Sequence, residues 1–386
     1  MNDRTENDNT TEERGNNEMK GQVKGPRVAA LGAAVALAVS WSIPSAASAA
    51  PNHKHFTIAY ELGYVGNDWQ TEAEHLTLAT SRVEPYKSIV KLEVHIAGTN
   101  TETQISEVGQ EVADHVSAII LYPLSPTALA PAVKAACAAG VKVFTYDSYV
   151  NAPCAYETSI PYRPNLPDAW GAVTMTWLAK DLHGHGDVIM ETGQPGASQD
   201  NYNVESARKA LKKFPGIKVV AQVPTDWNQA EAKTVTSEQL ASHPSIKGIW
   251  NENGCYGAEQ AVLAAHSKPI PCAGNSSNGH RVMMLPKSKG GIGLQSLSLG
   301  TGVNGGALCL VDAVKVLEGH NVPHFVPNPV SDQEASNATL KLGANVFPNR
   351  NKAGVGPGFE WFGPLPQVPA AAQTVHAALT GEPGKS

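Results

Sequence analysis

From His55 onward, short runs of β-branched and aromatic residues alternate with longer stretches whose apolar positions recur at helical spacing. Residues 56–60 and 89–96 read as strands, and 68–81 and 101–113 as helices, with Asn67 or Asp68 capping the first. The most regular stretch is VSAIILYPLSPTALAPAVKAACAAGVKVFTYD, from Val116 to Asp147. Its run at 117–122 is almost continuously apolar, as in a strand buried on both faces. An Ala-rich helix follows over 126–138, Gly140 stands where it ends, and a second strand covers 141–146 with Asp147 at its C-terminal end. Residues 155–160 form one more strand. Pro161, Pro164 and Pro167 then interrupt the chain, which places a crossing there.

A second series begins at Asp168. Helices are expected to about Leu182 and over 204–214, 230–241, 257–265 and 305–317. Strands are expected at 187–191, 217–223, 246–251, 270–273 and 292–297. Beyond about Val346 the chain is rich in Pro and Gly and reads as an irregular tail packing through Phe359, Trp361 and Phe362. Two alternating series predict an α/β protein: two doubly wound parallel-sheet lobes joined by a hinge, with a ligand cleft between them. The expected division is 55–160 with 297–326 for lobe I, 161–296 with 327–345 for lobe II, and 346–386 for the tail. Strand C-terminal ends face the cleft in such folds, so Tyr122, Tyr146 and Asp147 point toward a site.

The N-terminal segment has a different pattern. Residues 1–27 are polar, 28–43 are apolar and Ala-rich, and 44–50 are small, ending in Ala47-Ser48-Ala49. The apolar run is short for a membrane span, so residues 1–50 read as a secretory signal peptide, with Met19 as a second candidate start. No Cys lies near the cleavage site, which argues against a lipid anchor, and no stable membrane insertion is expected. A periplasmic or secreted location permits disulfides. Of the five Cys, Cys137 and Cys154 are the favoured pair, Cys255 and Cys272 the second, and Cys309 reads as a buried thiol. Spacing alone leaves connectivity open.

A net charge of −6 with no basic run argues against nucleic acid as a partner. Gly300-Thr-Gly302-Val-Asn-Gly305 fits a dinucleotide fingerprint, but no acidic residue ends a following strand, and the fold is nearly finished there. His183 and His185 lack a third metal ligand nearby in sequence. Neither a nucleophile elbow nor a Cys-x-x-Cys is present. The sequence therefore predicts no enzyme, no cofactor and no metal.

Polar and aromatic residues instead collect at the strand ends: Asn67, Asp68 and Trp69; Asp147; Tyr162 and Arg163; Gln199, Asp200, Asn201 and Asn203; Asp226, Trp227 and Asn228; Asn251, Glu252 and Asn253; Asn275. Side-chain amides and carboxylates match neighbouring hydroxyls, and indole faces cover the C–H face of a sugar. Helix caps, core packing and turns also explain individual members. Their joint placement selects Asn67, Trp69, Asp147, Tyr162, Asn201, Asn203, Trp227, Asn251 and Asn275 as candidate ligand-binding residues.

Over roughly 56–345 the chain resembles periplasmic sugar-binding proteins of the ribose-, galactose- and xylose-binding type, which serve ABC importers. The resemblance is carried by AIILYPLSPTALAPAVKAACAAGVKVFTYD, by the segment KALKKFPGIKVVAQVPTDWNQAEAKTVTSEQLASHPSIKGIWNENGCYGAEQAV, and by GGALCLVDAVKVLEG. It implies sugar-contacting roles for Trp69, Asp147, Asn201, Asn251 and Asn275. Ser148 follows Asp147 where the family often has Arg, Asn201 or Asn203 stands where it often has Arg, and Asn275 stands where it has Asp. The implied function is capture of a small polar ligand, a sugar or polyol, for an ABC transporter permease. The alternative is a periplasmic sensor signalling to a chemoreceptor or histidine kinase.

Overall fold

The computed structural model describes residues 54–63, 67–160, 169–300, 302–327, 334–337, 339–348 and 354–385. The expected signal segment, Tyr162 and Arg163 lie outside them. The first series contains β1 (Phe56–Leu62), α1 (Asp68–Ser81), α2 (Tyr86–Ile89), β2 (Val90–Ile96) and α3 (Thr101–Ala113). It continues with β3 (Ala118–Leu121), α4 (Ala130–Ala138), β4 (Lys142–Thr145) and β5 (Tyr156–Ile160). The second series is α5 (Trp170–Asp181), β6 (His185–Thr192), α6 (Ser198–Leu211), β7 (Gly216–Pro224) and α7 (Gln229–Ser242). After these come β8 (Ile246–Asn251), α8 (Tyr256–Ala264), β9 (Cys272–Gly274), α9 (Asn278–Met284) and β10 (Ser296–Leu299). The chain then adds α10 (Gly305–Leu317), β11 (Phe325–Pro327), β12 (Glu334–Ser336) and α11 (Val375–Thr380).

Two six-stranded sheets result, ordered β11-β5-β4-β3-β1-β2 and β12-β10-β9-β8-β6-β7. Every pairing is parallel except β10 with β12. Because β10 pairs with β9, the return toward the first sheet comes after Leu299 rather than at 297. This strand also starts later than the apolar run at 292–297. The amides of Ile292 and Leu294 bond the Met283 carbonyl at the end of α9 instead of a strand.

Local chemistry explains the elements that carry the cleft. Asn67 caps α1 by accepting the Gln70 amide at 2.9 Å, and Trp69, Ala73, Leu76 and Thr80 make its buried stripe. α10 is buried from Gly305 to Val314 because it packs between α1 and the first sheet. The opposite face of that sheet is covered by α3 and α4 around Val108, Ile119 and Val133. Disulfides join Cys137 to Cys154 and Cys255 to Cys272, and Cys309 is a buried free thiol. The tail is more regular than its composition suggests. It forms α11, and Phe359, Phe362, Val368 and Ala377 enter the first core.

Candidate functional site

In the first sheet the strand order reverses between β1 and β3, and in the second between β6 and β8. The loops leaving such switch points diverge and open a crevice. Here the crevices face each other. The outer part of the shared cleft, about 170 Å³, lies between Asn67, Asp68 and Trp69 on one side and Trp227, Asn228 and Asn253 on the other. The inner part, about 20 Å³, adds Gln70, Tyr122, Gln199, Glu252 and Asn275. Among the described residues no Lys, Arg, His or Cys lines either part.

Two indoles form the walls. Trp69 stacks on Tyr146 with 6.4 Å between centroids and 7° between planes, and Tyr146 is tied to Tyr60 by a 2.8 Å hydroxyl contact. Trp69 is thus both wall and core. Trp227 sits at a positive φ of 52°, which turns its ring back over the β6 end. Gly193 makes that possible, because a Cβ there would collide with the indole. Trp227 Nε1 donates to Glu252 Oε2 at 3.1 Å, and Asn203 Nδ2 donates to the same oxygen at 3.2 Å.

Glu252 is the polar centre of the second lobe. Its carboxyl also meets that of Asp200, while Asn203 Oδ1, Asn275 Oδ1 and Gln70 Oε1 are buried without a hydrogen-bond partner. Burial, reinforced by the nearby Asp200 carboxyl, holds Glu252 well above the ordinary carboxylate range, against the pull of the Asn203 and Trp227 donors. This environment favours its protonated form, in which the carboxyl can both donate and accept. Asn251 sits behind it. Its Oδ1 accepts the Asn253 amide at 2.7 Å and its Nδ2 bonds Glu191, so it shapes the loop that presents Glu252 and Asn253.

The lobes touch around the cleft. Tyr122 donates to Gln199 at 2.8 Å, and hydroxyl pairs Ser148–Ser198 and Tyr149–Tyr202 close the seam. The tail also enters. Gly358 and Glu360 line the outer cleft, and the Glu360 amide donates to Glu72 of α1 at 2.8 Å while its carboxyl accepts from Ser276 of the second lobe at 3.1 Å. A side chain at 358 would strike Asp68, which fixes the close approach of tail and α1.

Of the residues expected from sequence, the structure brings Asn67, Trp69, Trp227 and Asn275 together in the cleft. Asn203 is one layer back, behind Glu252, and Asn251 is spent on the loop. Asn201 is exposed and does not reach the cleft. The reason is that α6 starts at Ser198, not near 204, so successive residues fan around a helix. Asp200 and Asn203 turn inward and Asn201 turns out. Asp147, buried at a φ of 57°, lies beside the Ser148 seam and lines neither part of the cleft. Tyr162 lies outside the described residues. Gln70, Gly358 and Glu360 were not legible, since a helix face and a tail segment carry no strand-end signal.

The family model described as the periplasmic binding protein domain matches residues 58–287. The xylitol-binding protein of Mycolicibacterium smegmatis is 30% identical over 190 residues, 48% of this chain and 53% of that protein. The chain thus spans about half the length of that relative. The galactofuranose-binding protein of Escherichia coli is 28% identical over 240 residues, 60% of this chain and 72% of its own. Among solved structures, an ABC transporter solute binding protein from Thermobispora bispora superposes with a TM-score of 0.67 at 22% identity, covering 86% of this chain and 98% of that one.

Proposed function

Because the chain belongs to the periplasmic binding protein domain family, we propose that its cleft captures a small neutral sugar or polyol outside the cytoplasm and hands it to an ABC importer. The observation that carries this reading is the pairing of Trp69 and Trp227 from opposite lobes around the Glu252 carboxyl and the buried acceptors without partners on Asn275 and Gln70. Facing indoles suit the C–H surfaces of a carbohydrate. Buried polar atoms without partners are costly and are satisfied by ligand hydroxyls. Among the described lining residues there is no Lys or Arg, which supports a neutral ligand over a phosphorylated or acidic one. The xylitol and galactofuranose named for the relatives are uncharged polyhydroxylated molecules, and they support the same class.

Thermal unfolding against a panel of pentitols, pentoses and hexoses, with sugar phosphates and amino acids as contrast, tests this. Binding to the folded state alone stabilises by about 2.7 kcal/mol at a hundred times Kd. A neutral member should raise the melting point and be recovered unchanged. Stabilisation by only charged compounds, or conversion of the sugar, would overturn the proposal.

A further inference from the structure

A second polar cluster lies on the face of the first sheet covered by α3. Glu61 of β1 is paired in register with His95 of β2, so their side chains leave the same side of adjacent strands. Glu107 and Glu111 are four apart on α3 and share the face that covers them. Gln104, one turn earlier, is already occupied, donating to the Tyr122 carbonyl and accepting the Leu124 amide, both at 2.9 Å. Glu61 is fully buried and Glu111 is 3% exposed. The Glu61 carboxyl meets those of Glu111 and Glu107, no other described residue donates to Glu61 or Glu111, and the buried His95 Nε2 has no hydrogen-bond partner. Among the described residues no Lys or Arg forms an ion pair with any of them.

Ligating atoms of Glu61, His95 and Glu111 all lie within 4.8 Å of one another. Ligand atoms about 2.1 Å from one ion lie roughly 3.4 Å apart in a tetrahedral site, so the group closes on an ion with movement of up to about 1.4 Å at its widest pair. We propose that Glu61, His95 and Glu111, with Glu107 beside them, bind one divalent first-row transition ion of the Zn²⁺ or Mn²⁺ type. Uncompensated carboxyls are expensive to bury, and burial together with Glu111 and Glu107 drives the Glu61 pKa strongly upward. Proton sharing relieves part of that cost, and a cation would neutralise the carboxyls and engage the imidazole nitrogen at once. The imidazole favours a transition ion over Mg²⁺ or Ca²⁺, which take oxygen ligands. His95 and Glu107 are only half-buried and give a path in. The inference is independent of what the cleft binds.

The test is calorimetric titration of the chelator-treated full chain with Zn²⁺ and Mn²⁺, with Mg²⁺ for contrast, followed by melting curves. About one equivalent should bind, and the melting point should rise by about 3–5 °C at a hundred times Kd. Glu61→Gln and His95→Gln should each weaken uptake at least tenfold. Glu61→Gln removes a buried carboxyl, so its metal-free form should melt no lower than the parent. His95→Gln sits at a half-buried position and provides the second variant if the first misfolds. A His183→Asn, His185→Asn double change on the exposed turn controls for surface imidazoles and should leave uptake within twofold. No uptake by the parent chain, or uptake retained in either site variant, would overturn the proposal.

Discussion

Trp227 holds Glu252 with its N–H and offers its face to the cleft, so truncation removes both an anchor and an orienting donor. Trp227→Ala should weaken ligand binding by at least about 2 kcal/mol, roughly thirtyfold in Kd, and Trp227→Phe should fall between. Trp69→Ala should cost affinity and stability together, because the same ring stacks on Tyr146 in the core. Glu252 makes a sharper prediction. Glutamine keeps an acceptor for Asn203 and Trp227 without the carboxyl that burial disfavours in its charged form, so Glu252→Gln should lose less than about tenfold, whereas Glu252→Ala leaves both donors without their acceptor and should lose more. Asn201→Ala should change affinity less than twofold. Calorimetric titration of the set checks all of these. Asn201 shows the limit of sequence reading at this scale: composition singled out the 199–203 segment, but which of its members face inward depends on the helix having already begun at Ser198. Once it has, Asp200 and Asn203 share one face.

At the scale of elements, the β6–α7–β8 layer buries a carboxyl. Glu191 accepts from Thr236 and Asn251, yet burial still lifts it to about 7. Its folded value exceeds the unfolded one, so the folded state keeps a proton that the unfolded chain releases. The associated stability is full below about 4.5 and is lost as pH rises toward 7. Glu259 and Glu360, each lifted to about 8 by burial, extend the loss to that pH. Melting points should therefore fall from pH 5 to pH 8, and Glu191→Gln should flatten the slope below pH 7. A second prediction concerns α4 and β5. Opening the Cys137–Cys154 loop, with its separation of 17, by a double Ala change should lower stability by about 3 kcal/mol in denaturant titration. Most elements could be read from the sequence because period and turn residues agreed, as in α1, α3 and α10. The misses have local causes. β10 was displaced because residues 292–294 bond the end of α9, and α9 itself is too short to show a period.

For the whole molecule, the two-lobed plan followed from the repeated alternation of strands and helices, but the role of the tail did not. Residues beyond 354 bridge both lobes: Asn278 and Ser276 of the second lobe bond Phe359 and Trp361, and His75 of α1 and Arg82 just after it bond Ala378 and Gly381. Nothing in a Pro- and Gly-rich stretch announces that partner, since these contacts are mainly to backbone. Deleting 374–386 removes α11 and should lower the melting point by several degrees, while leaving Glu360 and ligand affinity within about threefold. The central claim is that the cleft, walled by one indole from each lobe, holds a neutral polyhydroxylated ligand. A crystal structure with the stabilising sugar or polyol from the thermal panel tests it most directly. The account predicts the ligand between Trp69 and Trp227, with hydroxyls within about 3.2 Å of Glu252 and Asn275. A ligand bound elsewhere, or one whose hydroxyls reach neither residue, would contradict it.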